Sequence, residues 1–165
     1  MARWEPEQNV TQSVLERLID RDPLLGADPP VSRAASVRQL KASLRRDLEW
    51  LLNTRRTPTP ATSDFPETEK SLYNFGLPDM TSFSWDSSRD RNRLSRMIEQ
   101  AVAHFEPRIT GLKVMAMESA PGAQHVLRFQ IQGLLDMDPA PEHISFDTVL
   151  QLSSGEYQIR GDIGA

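Results

Sequence analysis

"AHFEPRITGLKV", residues 103 to 114, is where the hydrophobic period of the chain changes. Upstream, Leu94, Met97, Ile98, Ala101 and Val102 recur at three- and four-residue spacing, the mark of a helix with one apolar face. Downstream, Leu112, Val114 and Ala116 alternate with polar positions, the mark of a strand. Pro107 enforces the change, because the residue before a proline is driven out of helical geometry. The stretch therefore predicts a helix over about 89 to 104, with Ser87 and Ser88 as capping residues and Arg89, Arg91, Arg93 and Arg96 mainly on its outer face. A strand over 110 to 118 follows.

Working outward toward the C-terminus, residues 124 to 132 alternate again, with Leu127, Phe129 and Ile131 opposite Val126, Arg128 and Gln130. "SAPGA" between these two runs reads as a hairpin turn. A third strand is expected at 144 to 152, with Ile144, Phe146, Leu150 and Leu152 inward, and a fourth at 156 to 160 after "SSGE". Helices followed by an antiparallel sheet of about four strands make an α+β fold. No internal repeat is present.

Toward the N-terminus the clearest helix opens at Ser36, with Gln39 three residues on in a capping-box arrangement. Val37, Leu40, Leu44, Leu48, Leu51 and Leu52 form its apolar stripe, and it should end near Asn53. "TRRTPTPATSDFPETEK" (54 to 70) reads as a long loop, and "SLYNFGLPDM" (71 to 80) as a tight, packed turn around Gly76. An earlier helix is expected over about 11 to 20, carrying Val14, Leu15, Leu18 and Ile19, with Asn9 or Thr11 as its cap. "DPLLGADPP" separates it from the rest. Residues 1 to 30 are thus read as an N-terminal helix and linker that orders on assembly with a partner, and 31 to 165 as the main domain.

The composition of the 165 residues, 38% hydrophobic and 25% charged, is that of a soluble globular chain, and no apolar run approaches the ~20 residues that cross a bilayer. Cysteine is absent, which excludes disulfides and thiolate metal sites and fits the cytoplasm. The net charge of -4 is unevenly spread. Residues 33 to 56 hold seven basic side chains against Asp47 and Glu49, whereas 115 to 165 hold Arg128 and Arg160 against seven acids. Such asymmetry steers a charged partner or merely marks solvated faces. Of the 19 cationic residues, 16 are arginine, the better cation for fork-like pairing with carboxylates at interfaces.

Motifs for bond-making chemistry are missing. His104, His125 and His143 have no metal-ligand spacing, and neither a phosphate-binding glycine loop nor a nucleophile elbow occurs. Glu106, with Asp79 or Asp86, would be the acid pair of a glycosidase-type hydrolase, but Arg108 beside it favours the ionised form, which opposes a general acid. Docking is the alternative: two residues apart across a proline, Glu106 and Arg108 would project side by side at roughly 6 to 7 Å. A helix-stopping Pro107 with two solvated neighbours is the third. Arg55 and Arg56, just past the Leu stripe, either complement a helix C-terminus or reach a partner.

Three segments taken together, "SVRQLKASLRRDLEWLLNTRR" (36 to 56), "SLYNFGLPDM" and "IEQAVAHFEPRITGLKV" (98 to 114), resemble the TssE family of type VI secretion baseplate subunits. That family is a branch of the contractile-phage wedge proteins once labelled lysozyme-like. "LLNTRR", "NFGLPD" and "FEPR" in this order carry the likeness, which extends over roughly residues 10 to 160; Phe75 stands where family members often have Tyr. The resemblance implies a structural, non-enzymatic baseplate component in the cytoplasm, assembled into a membrane-docked baseplate without inserting in the membrane. It implies other wedge subunits and contractile sheath proteins as partners, no cofactor, no small-molecule substrate and no nucleic acid. Glu106, Pro107 and Arg108 fall on the family's wedge-assembly motif, and Arg55 and Arg56 join them as expected partner-binding residues. A strand edge of the sheet is expected to accept a sheath strand. A muramidase is the rival reading, and a nucleic-acid binder built on residues 33 to 56 a more distant one.

Overall fold

The computed structural model describes residues 10, 12–19, 23–24, 26, 32–59, 64–80, 82–84, 87–117, 126–138 and 140–161. Along them run α1 (Val14–Leu18), α2 (Arg33–Asn53), α3 (Pro66–Glu69), α4 (Ser88–Phe105), then β1 (Ile109–Met117), β2 (Val126–Leu135), β3 (Glu142–Gln151) and β4 (Glu156–Arg160). The strands form one antiparallel sheet in sequence order, β1-β2-β3-β4, so the fold is α+β with helices first. The chain divides into two compact units, 1–44 and 45–165, with the boundary inside α2.

In the larger unit, alternation explains the sheet. β2 buries Leu127, Phe129, Ile131 and Leu135, and β3 buries Ile144, Phe146, Thr148 and Leu150. Opposite-face positions in both strands are mostly polar, with Val126, Leu134 and Val149 among them, and all are only half-covered or exposed, as a sheet with one core face requires. Leu48, Leu51 and Leu52 from α2 and Leu94, Ile98 and Val102 from α4 are buried with them, as are Leu77, Ile109, Val114, Met137, Tyr157 and Ile159. Ser87 caps α4 by accepting from Asp90 N at 3.3 Å, as the sequence indicates. Met97 and Ala101 lie at the margin of the core rather than inside it, and Leu152 falls beyond β3 in the turn to β4. β1 bulges between Thr110 and Lys113, where Gly111 takes φ 60°, so its pairing with β2 slips just past the helix-to-strand turn.

The smaller unit departs from the sequence reading at both caps. α2 starts at Arg33, four residues early: Ser32 Oγ accepts from Ala35 N at 3.3 Å, while Ser36 lies within the helix and donates its hydroxyl to Arg33 O at 2.8 Å. Ser13 caps α1 through Glu16 N at 3.3 Å. Thr11 and Asn9, the expected caps, lie outside the described residues. α1 also turns its apolar side chains outward: Val14 and Leu18 are 71% and 76% exposed while Glu16 is 5% exposed. Gln12 and Gln39 hydrogen-bond through their side chains, and Val10 N donates to Ser36 Oγ at 3.3 Å.

The stretch from 54 to 80 is less irregular than its composition indicates. Among its described residues are α3 and a 3₁₀ turn at Leu72–Asn74 capped by Ser71. Leu72 and Tyr73, expected to pack, are exposed, whereas Leu77 is buried. "LLNTRR" and "NFGLPD" meet through their backbones: Leu77 N donates to Thr54 O at 2.9 Å and Arg56 N to Leu77 O at 2.8 Å. Gly76 makes this possible. It takes φ 102°, and a Cβ there would sit 2.2 Å from Thr54 O.

Candidate docking site

The Glu106-Pro107-Arg108 turn is built by its neighbours in sequence before any distant residue joins it. Glu106 closes α4, its N–H donating to Val102 O at 2.8 Å. Pro107 follows in the turn, and Ile109 N donates back to Glu106 O at 3.1 Å as β1 begins. Asp136 N, just past β2, donates to Arg108 O at 2.8 Å and ties the turn to the sheet.

The side chains do not project in parallel toward solvent, as the sequence reading had them. Arg108 curls back onto Glu106, giving Nε and Nη2 to Glu106 Oε2 at 3.0 and 2.6 Å. The same Nη2 donates to Asp47 Oδ2 of α2 at 2.8 Å, and Asp47 Oδ1 receives Arg46 Nη2 at 3.2 Å. The Arg46 guanidinium in turn lies 5.0 Å over the ring of Trp50, one helical turn on. Two carboxylates and two guanidiniums thus neutralise one another, and Glu106 is only 8% exposed. Arg108 Nη1 is buried without a hydrogen-bond partner. Pro107 and Trp50, the latter 54% exposed, are the most exposed parts of this assembly.

Burial sets the direction in which the Glu106 pKa moves. Its pKa is raised by desolvation, the dominant cause, with the Arg108 bond and charge pulling it down and Asp47 pushing it up. The expectation that Arg108 sets the direction of this shift is therefore corrected: loss of water outweighs the cation, and the pKa moves up. Arg108 itself is desolvated, which weakens its charge, but its bonds to Asp47 and Glu106 prevail and raise its pKa. A raised pKa alone does not make Glu106 a general acid. Its Oε2 is occupied by two guanidinium bonds, and Asp79, its expected companion, lines a different cavity. Asp86 lies outside the described residues, and the carboxylate that shares Arg108 with Glu106 is Asp47.

Arg55 and Arg56 are not part of this cluster. They follow the C-terminus of α2 and line two separate cavities, Arg55 with the β3–β4 turn and Arg56 with the C-terminal half of α4. Among the described residues no group of three histidine or carboxylate side chains is placed to hold a metal, and no helix is long and apolar enough to cross a membrane. His104 is set edge-on to Phe105 at 4.6 Å, and His143 is an exposed strand residue.

Sequence reasoning missed Asp47, Arg46 and Trp50 as members of the site. The available signal was an exposed-side tryptophan at i+4 from an arginine, on the face of α2 away from the leucine stripe. An aromatic on a polar helix face is an unusual use of apolar area.

A family model described as "Baseplate wedge protein gp25" matches residues 38–140, well over half of the chain, and the protein belongs to that baseplate wedge family. Among solved structures, a chain of "The baseplate complex from the type VI secretion system" is similar at 19% identity and a TM-score of 0.48, over 69% of this chain and 96% of that one. No curated protein is significantly similar to this chain.

Proposed function

We propose that this chain is a structural subunit of a type VI secretion baseplate, bound to other wedge subunits through the Glu106-Pro107-Arg108 turn. Membership of the wedge family and the combination of "LLNTRR", "NFGLPD" and "FEPR" support the apparatus. The observation that carries the docking role is the junction itself. Glu106, Arg108 and Asp47 spend their charges on one another to fix a helix, a turn and a strand, and thereby hold Pro107 and Trp50 rigid at the surface. A rigid aromatic beside an arginine is the composition of an interface anchor, and pre-organisation lowers the entropy lost on binding. No bond cleavage is needed for this task. The location is the cytoplasmic face of the apparatus, with Arg55 and Arg56 adding contacts.

Sheath assembly would begin by strand addition at the β1 edge. On the β4 edge, Tyr157 N–H and C=O are occupied by the Asn53 amide and Ile159 N–H by Glu49. On the β1 edge the side chain of Glu99 takes Val114 N–H at 3.2 Å, while Met115 and Met117 beyond it are exposed.

The test is co-purification of tagged chain with the other wedge subunits. Pro107→Ala and Trp50→Ala change exposed groups and should leave the fold intact while reducing recovery of partners at least tenfold. Undiminished recovery with both variants would refute the docking site. Incubation with peptidoglycan should release no fragments; release that depends on Glu106 would replace this reading with a hydrolase.

A further inference from the structure

A cavity of about 250 Å³ lies where the end of α2, the "NFGLPD" segment and the β3–β4 turn meet. Leu52, Leu77, Leu150 and Tyr157 form its apolar floor, each at most 3% exposed. Arg55, Asp79, Ser153 and Ser154 form the rim. The two sequence motifs pair through their backbones to build its wall, so both have a structural purpose here beyond the charged turn.

Three features specify what fits. The volume lies below the ~300 to 1,000 Å³ of small-molecule sites, which suits a single apolar side chain used as an anchor. Arg55 is exposed on the rim and carries no ion pair among the described residues, whereas Asp79 is engaged within the chain. The Arg55 guanidinium reaches over the β3–β4 turn, its Nη2 3.8 Å from where a Cβ on Gly155 would lie. Last, among the described residues the Tyr157 hydroxyl donates to Met80 Sδ alone, at 3.6 Å, a weak acceptor that a carbonyl oxygen would displace to advantage.

We propose that this cavity binds a peptide segment of a partner protein by inserting one apolar side chain, with an adjoining carboxylate on Arg55 and a backbone carbonyl on Tyr157 Oη. The proposal rests on the reading of the chain as a protein-docking subunit, but it assigns a second contact, separate from the Glu106-Arg108 junction. Arginine rather than lysine at the rim favours a carboxylate held by two parallel bonds.

The experiment titrates the isotope-labelled full chain with N-acetyl-leucine, which carries an apolar side chain, a carboxylate and an acetyl carbonyl. Expected is a saturable shift of the Leu77, Gly155 and Tyr157 amides, with N-acetyl-leucinamide at least threefold weaker. Arg55→Gln should bring the acid down to the level of the amide, and Ser154→Trp, which caps the mouth from an exposed position, should abolish both responses. Spectra away from the cavity verify that each variant is folded. Equal binding of acid and amide to the unmodified chain, absence of shifts at these three amides, or no effect of either variant would overturn the proposal. Inorganic phosphate moving the same amides at lower concentration would overturn the carboxylate assignment. No baseplate subunit is present in the titration, so its failure removes the cavity and leaves the junction standing, while failed docking at Pro107 and Trp50 leaves the cavity result intact.

Discussion

The C-terminal half of α2 meets the strands in two ways, and the contrast between them explains how one helix serves both stability and display. At Asp47 it meets charge with charge: Arg108 binds Asp47 and Glu106 in a place poor in water. At Glu49 and Asn53 it meets backbone: the Asn53 amide bonds both N–H and C=O of Tyr157, and Glu49 takes Ile159 N, as a fifth strand would. In the first place large opposing terms nearly cancel, so the geometry is strict and the net gain small. In the second, side chains satisfy groups that would otherwise be an open strand edge, so the gain is modest and robust.

Arg108→Ala should have the largest effect, because it leaves Glu106 without a cation beside Asp47, which keeps only Arg46. Breaking such a partly buried network costs about 3 kcal/mol, read as a lower midpoint in urea. A loss below about 1 kcal/mol would mean the junction is an ordinary surface pair and erase the contrast. Gly76→Ala comes next, at about 2 kcal/mol, since the added Cβ would collide with Thr54 O at a φ that side chains rarely adopt. It should also weaken amide protection at Leu77 and Arg56, whose bonds join the two motifs. Asn53→Ala follows at about 1 to 2 kcal/mol, with faster hydrogen exchange at Tyr157 as its local signature. If Asn53→Ala proved costlier than Arg108→Ala, the edge and not the charge cluster would be the dominant tie.

Much of this architecture was legible because it depends on local period. α4, its Ser87 cap and β4 lie where the apolar spacing and the turn residues indicate, since burial of one face is written directly into the spacing of Leu94, Ile98 and Val102. α2 begins early because serine can cap or lie within a first turn, and nothing local separates Ser32 from Ser36. α1 defeats the rule altogether: its apolar residues have helical spacing yet face out, with Glu16 buried in their place. For the site, Glu106 and Arg108 were visible as a pair, but not their enclosure. That depends on Asp47, 61 residues from Arg108 in the chain, and a three-dimensional partner at that separation leaves no trace in local pattern. Solvated and enclosed Glu-Pro-Arg triplets read alike; only burial distinguishes them, and it reverses the direction of the Glu106 pKa.

That reversal yields the smallest and most specific prediction. Burial raises the Glu106 pKa in the folded chain above that of the unfolded one, so the folded state holds the proton more tightly. Its stabilising contribution is complete below the ordinary glutamate value of ~4.3 and declines as pH rises through the raised folded value. Glu106→Gln keeps an oxygen acceptor for Arg108 and removes the titration, so the difference in stability between variant and parent should shift in favour of the variant as pH increases through that window. Urea midpoints for both proteins between pH 4 and 8 supply the measurement. A difference that moves the other way would mean Arg108 outweighs burial after all, and the junction would then be an ordinary ion pair held in place by attraction, no different in kind from a solvated one.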